Sequence, residues 1–273
     1  MSTKHALNTI LAAAIMAFVT PAAFAGAIHD AALFTDNTLA ANDDGYTGLV
    51  DIGFGINFYG VSQSNLYVNN NGNVTFTGPL GTYTPFGLLT SSIPIIAPFF
   101  ADVDTRGTGS GLVQYGQDTI GGKNVFGVNW INVGYYGAHV DKLNSFQLII
   151  TDRSDIAAGD FDFEFNYDKI LWETGDASGG SGGLGGSSAR VGYTNGGAVD
   201  LEFAGSGVNG AFLDGGPNAL ISGSLNSNIA GQYIFNVRNG AVVPSNPVPE
   251  PASLALLGIG LAGLGAMRRR KTA

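Results

Sequence analysis

Between its two ends the chain alternates apolar and polar positions. In Val50-Asp51-Ile52-Gly53-Phe54-Gly55-Ile56-Asn57-Phe58 every second residue is large and apolar. That period of two buries one side of an extended strand and leaves Asp51 and Asn57 in water. Leu66-Tyr67-Val68 and Val74-Thr75-Phe76 flank Asn69-Asn70-Asn71-Gly72-Asn73, and asparagine and glycine tolerate the positive φ that a hairpin turn requires. Further strands are predicted over 112–115, 123–135, 145–151, 161–170, 189–193 and 232–237, with turns rich in Gly, Asn and Asp. No segment between the ends keeps a helical period. The expected fold is all-β, a single antiparallel β-sandwich or barrel-like domain, with a signal helix before it and a short hydrophobic helix after it.

Two segments depart from the alternation. Ile93-Pro94-Ile95-Ile96-Ala97-Pro98-Phe99-Phe100-Ala101 is apolar on both faces and carries two prolines. It predicts a buried, edge-like strand or an extended crossing through the core. Residues 175–188 are dominated by glycine and serine, which predicts a flexible surface loop within one domain.

The ends have a different pattern. Lys4 precedes an apolar run of 14 residues, Ala6 to Val19, and Ala23-Phe24-Ala25 then places small residues three and one before Gly26. This is the layout of a secretory signal peptide. The run rises only ~21 Å as a helix, short of the ~30 Å hydrocarbon layer, so cleavage by signal peptidase is expected before Gly26, after Ala23 and Ala25. At the other end Pro249-Glu250-Pro251 leads into an apolar run from Leu254 to Met267, then Arg268-Arg269-Arg270-Lys271. The run is marginal as a transmembrane helix, and the cations hold the cytoplasmic side. The three parts together resemble the PEP-CTERM tail of Gram-negative bacteria, a sorting signal recognised by a membrane peptidase, the exosortase. The resemblance implies transient membrane association through the tail. The predicted organisation is a signal peptide at 1–25, a β domain at 26–241, a linker at 242–248 and a sorting tail at 249–273.

Charge narrows the partners. Five of the 12 basic residues and one of the 21 acids belong to the two ends, so the remainder carries seven basic and twenty acidic groups, a formal charge of −13. Such a surface repels nucleic acid and anionic lipid, and an acidic polysaccharide would need bridging divalent cations. The chain has no cysteine, which excludes disulfides and thiolate metal sites.

The β blocks themselves resemble the nidogen-like (NIDO) domain of animal matrix proteins and of many bacterial surface proteins. The resemblance rests on Leu66 to Phe76, on Ile95-Ile96-Ala97-Pro98-Phe99-Phe100-Ala101-Asp102-Val103-Asp104, on Asn144 to Ile150, on Phe161 to Tyr167, on Trp172 and on Ala189 to Tyr193. It implies an extracellular adhesion or structural role and supplies no catalytic residues.

Candidate chemistry is sparse. Gly180-x-Gly182-x-x-Gly185 and Gly258-x-Gly260-x-x-Gly263 imitate a dinucleotide fingerprint, and Gly179-x-Ser181-x-Gly183 a nucleophile elbow. None sits between a strand and a soluble helix, as that chemistry requires. His29 and His139 form no zinc pattern. Asp102 and Asp104 lie two apart, ~6.5 to 7 Å on an extended chain, and are weak calcium candidates, although an EF-hand-like loop fails because Arg106 takes the third ligand position. Asp160, Asp162, Glu164 and Asp168 alternate with aromatics, the pattern of a solvated face over a core. Tyr135-Tyr136 and Trp172 are the places where a sugar ring could stack. The expected protein is a non-enzymatic surface or matrix protein, biofilm- or exopolysaccharide-associated. A carbohydrate-active hydrolase or carbohydrate-binding module is the alternative.

Overall fold

The computed structural model describes residues 26–197 and 200–243. Ala23, Ala25, the sorting tail with Pro249, Glu250, Pro251 and Arg268 to Lys271, and the two flanking helices lie outside the described residues. The first half of the chain contributes β1 (Asn37–Thr38), β2 (Val50–Phe58), β3 (Val61–Asn69), β4 (Asn73–Thr75), β5 (Pro94–Phe100), β6 (Val103–Asp104), β7 (Val113–Ile120) and β8 (Lys123–Tyr135). The second half adds β9 (His139–Asp152), β10 (Phe161–Lys169), β11 (Gly180–Ser181), β12 (Leu184–Gly185), β13 (Arg190–Asn195), β14 (Asp200–Glu202), β15 (Gln232–Arg238) and β16 (Ala241–Val242). The larger sheet is ordered β1-β7-β8-β9-β10-β15-β16, with β6 also pairing β8, and the smaller β14-β13-β5-β4-β3-β2. The named strands pair antiparallel and neither sheet closes into a barrel.

The alternation predicts the core correctly. Ile52, Ile56 and Phe58 of β2 pack with Phe161, Phe163, Phe165 and Tyr167 of β10 and with Trp130, Phe146 and Trp172 in one buried cluster. Phe163 stacks on Phe235 at 4.7 Å and Trp130 on Phe146 at 5.2 Å. Each buried aromatic of this size contributes roughly 1.5–3 kcal/mol.

The segment with two prolines is a buried, interior strand, and its dual apolarity has two causes. Ile96 and Phe99 face the main core, whereas Ile95, Ala97 and Phe100 pack outward against Leu80 and Leu88 of the loop that covers this sheet. The register shifts between Arg190 and Gly192 opposite β5. A bulge there accommodates Pro98, which has no N–H to give, and switches the facing of the residues after it.

The glycine-rich segment is not a free loop. Gly182-Gly183 turns a short hairpin of β11 with β12. Gly183 O accepts the N–H groups of Glu173 and Thr174 at 2.9 and 3.1 Å, and Ser178 and Ser188 are buried. Glycine is needed here for close approach to the rest of the fold: a Cβ on Gly183 would lie 2.8 Å from Trp172 Cβ. At the far end Val242 pairs with Val237, so the sheet continues one residue past the expected domain limit. No helix among the described residues is long and apolar enough to cross a membrane.

Candidate metal centre

The asparagine-rich turn between β3 and β4 forms as predicted, with Val68 opposite Val74 and Asn69 opposite Asn73, but the larger sheet covers it. Asn69, Asn70, Asn71 and Asn73 are all buried. Gly72 has φ +72, and a Cβ on it would come within 1.8 Å of Phe99 O, so only glycine fits. A buried polar turn must satisfy its groups internally. Asn69 Nδ2 donates to Asn73 Oδ1 and Thr75 Oγ1. Asn70 Nδ2 donates to the carbonyls of Asp43 and Val103. Asn71 Nδ2 donates to Asp44 Oδ1 at 2.9 Å, while Asn71 Oδ1 accepts Val103 N–H. Trp130 Nε1 donates to Asn70 O.

Beside this turn the chain leaves the smaller sheet at Phe100 and joins the larger one at Val103. Asp102 sits on that crossing. The bend ends the strand alternation, so Asp102 and Asp104 part company. Asp104 accepts Arg106 Nε at 2.9 Å, Arg106 Nη2 at 2.6 Å and Ala138 N–H at 2.8 Å. Asp102 instead meets Asp43 and Asp44, with one ligand oxygen from each of the three lying within 4.8 Å of the others. Asp102 is 1% exposed, and neither of its oxygens has a hydrogen-bond donor among the described residues. Asp43 Oδ1 and Asn70 Oδ1 are also buried without a donor. A Cβ on Gly175 would lie 2.3 Å from Asp102 Oδ2, so the glycine-rich segment forms the wall of this site.

The electrostatics follow from that geometry. Burial pushes Asp102 up to about 8, and the charges of Asp43, Asp44 and Asp104 add to it against Arg106. Burial, then Asp104 and Asp44, raise Asp43 to about 6. Burial also works to raise Asp104, but its hydrogen bonds from Arg106 and Ala138 hold it below the usual carboxylate range. Arg106 is the shared cation, 3.0 Å from Asp43 Oδ2. Three carboxylates offering oxygen ligands suit a hard cation such as calcium.

The other candidates are placed elsewhere. On β10, Asp162 pairs with Arg153 at 2.6 Å and Arg238 at 2.7 Å, and Glu164 with His29 at 2.8 Å. Asp160 is buried and accepts Asn239 N–H. This face is therefore an ion-paired one, half-covered by the N-terminal segment, and Asp168 alone of the four is open to solvent. His139 lies 3.5 Å from Asp176 and stacks on Tyr135. Tyr135 and Trp172 are core residues at 1% and 0% exposure, which removes them as sugar platforms. The hairpin at 180–185 is no strand-to-helix turn, so neither motif read there has its chemistry. Asp43 and Asp44 were not singled out by sequence reasoning. Their one signal is the composition of Asn42-Asp43-Asp44-Gly45, an acidic turn with no ligand spacing to Asp102.

Comparison with known proteins adds the following. The nidogen-like domain matches residues 64–121 and 116–239, and the PEP-CTERM protein-sorting motif matches residues 247–271. Alpha-tectorin of Mus musculus is 31% identical over 228 residues, 75% of this chain and 10% of the relative. Alpha-tectorin of Gallus gallus is 30% identical over the same shares. Nidogen of Drosophila melanogaster is 31% identical over 209 residues, 67% of this chain and 14% of the relative. The chain therefore spans about a tenth of the length of the alpha-tectorins it matches. No solved structure matches.

Proposed function

The chain belongs to the nidogen-like domain family and is an exported, cell-surface protein processed through its sorting motif by an exosortase; from that premise we propose that it is a non-enzymatic matrix or adhesion component. The observation that carries this reading is the union, in one chain, of a nidogen-like domain with a protein-sorting tail. Its partner is exopolysaccharide or another component of the producing cell's matrix, as in a biofilm, and the tail holds the protein at the membrane of a Gram-negative bacterium until processing. Signal peptidase releases Gly26, and Ala27 is already buried in the domain.

Two features of the surface support a binding role over hydrolysis. An open cleft of about 550 Å³ between β13-β14 and β15-β16 has Glu202 as its one acidic lining residue, and Arg190 Nη1 holds that carboxylate at 2.9 Å. Glycoside hydrolysis needs two facing carboxylates. Tyr46 and Tyr83, 50% and 40% exposed, stand on the turn and loop beside Asp44, where Gly81 packs against Asp44 O and the Tyr46 ring. Exposed tyrosines of this kind offer stacking faces to sugar rings.

Removing residues 247–271 is the test of placement: the protein is expected in the medium or misplaced, and retention like the original would defeat the sorting reading. Co-sedimentation of the exported protein with the producing cell's exopolysaccharide tests the partner. Binding without chain shortening is expected, and release of shorter saccharides would establish a hydrolase instead.

A further inference from the structure

The seam between the two sheets holds more oxygen acceptors than the protein itself can satisfy. Four carboxylates, Asp43, Asp44, Asp102 and Asp104, gather here, and Arg106 is committed to Asp104 and Asp43. Asp102 keeps two buried oxygens with no donor, and Asp43 Oδ1 and Asn70 Oδ1 add two more. Polar groups buried without a partner cost free energy, and charged ones cost most. Such a set, gathered from three distant stretches of chain, marks a ligand site rather than a chance surface cluster.

We propose that Asp43, Asp44 and Asp102, with Asn70 Oδ1 as a neutral ligand, form a calcium site that clamps the two sheets together. Calcium takes oxygen ligands at 2.3–2.6 Å, so two ligands on opposite sides of it lie roughly 4.6–5.2 Å apart. The three carboxylate oxygens lie within 4.8 Å of one another, which is inside that span. Magnesium, at about 2.0–2.1 Å, demands stricter octahedral geometry and keeps several of its waters. Zinc is disfavoured because the site offers neither histidine nor cysteine. The ion joins the turn at 42–45, the buried asparagine turn and the crossing at Asp102, with Gly175 closing the wall. Calcium therefore acts as a cross-link between segments whose ordering the apolar core alone leaves to hydrogen bonds. This site stands apart from the matrix reading, because the ion is bound whether or not a polysaccharide partner exists.

The experiment is calorimetric titration of the chelator-treated exported protein with calcium chloride, paired with Tm in calcium, magnesium and chelator. One site with Kd near or below about 10⁻⁴ M is expected. Tm should rise by about 5–10 °C at calcium a hundredfold above Kd, with a smaller rise in magnesium. Asp102→Asn and Asp44→Asn should each weaken binding by about tenfold or more, whereas Asp118→Asn, on the exposed part of β7, should leave it unchanged. If Asp102→Asn does not fold, Asp44→Asn, whose side chain is only half-buried, decides the matter. No heat and no Tm response to calcium would overturn the proposal. So would calcium binding of unchanged affinity in Asp44→Asn, or a response to magnesium equal to that to calcium.

Discussion

The acidic face of β10 and the acidic seam around Asp102 contain the same residue types and resolve their charge in opposite ways. On β10, Asp162 has two arginines and Glu164 has a histidine and an amide, so the charge of both carboxylates is met by cations or donors of the protein itself. At the seam one arginine pairs with two of the four carboxylates, Asp104 and Asp43, and Asp102 receives no donor. A count of acids along the chain is the same kind of signal in both places. What separates a structural ion-pair face from a candidate cation site is the supply of cations and donors from other segments, together with burial that keeps water from making up the deficit.

The most severe way to break this contrast is to open the wall of the seam. Deleting residues 178–188 removes the Gly183 carbonyl from Glu173 and Thr174, uncovers Trp172 and disturbs Gly175 beside Asp102. The loss is comparable with truncating a buried tryptophan, ~3–5 kcal/mol, or about 10 °C in Tm for a domain of this size. Thermal denaturation measures it, and an unchanged Tm would restore the flexible loop that composition predicts.

A matched pair of substitutions in chelator sharpens the contrast itself. Asp162→Ala leaves Arg153 and Arg238 facing each other without their shared acid, which should cost about 2 kcal/mol. Asp102→Asn removes a buried carboxyl that no donor meets, so above its raised value of about 8, where the carboxylate would be charged, stability should rise by about 1 kcal/mol. Urea denaturation of both variants gives the signs. If both lose stability equally, the two acidic regions are alike and the seam is merely structural.

The smallest expected effect separates the regions by pH. The hydrogen bond to Glu164 raises His29 above its ordinary 6.5, against the opposing effect of burial. The folded protein therefore holds this proton more tightly than the unfolded chain. That contribution is fully present below about pH 6.5 and is lost as pH rises through the raised folded value. Glu164→Gln should flatten a shallow decline of Tm between pH 6 and 8, and nuclear magnetic resonance of the His29 ring should follow the same titration. A decline that survives the substitution would place the titrating group elsewhere.

Much of the architecture was legible from alternation. The strands at 50–58 and 123–135 agree with the structure at both ends, and the Asn-Gly hairpin and the aromatic face of β10 form where the pattern puts them. One compositional reading failed for a physical reason. The glycine-rich 175–188 predicts a flexible surface loop, but at Gly175 and Gly183, as at Gly72, the missing side chain is what lets backbone approach carboxylate, side chain or backbone in the interior. Composition does not distinguish a glycine chosen for freedom from one chosen for lack of volume. Two of the aromatic candidates failed similarly: Tyr135 and Trp172 carry polar atoms that suit a wet surface, yet both rings close into the core, where Trp172 Nε1 donates to Val133 O and the Tyr135 hydroxyl reaches out to Asp141.

By itself the sequence determined the all-β class, the single core of alternating aromatics, the cysteine-free chemistry and the sorting tail, because each is written in local order: a period of two, a run, a motif. Tertiary structure decided which polar residues meet. Asp43, Asn70, Asp102 and Gly175 come from four separate stretches, and the register of a strand fixes only which side of its own sheet a residue faces. The bend at Asp102, where the chain crosses from one sheet to the other, cancels that register. Neighbours at the seam are then set by how two curved sheets and their loops close over one another, and no spacing along the chain encodes it.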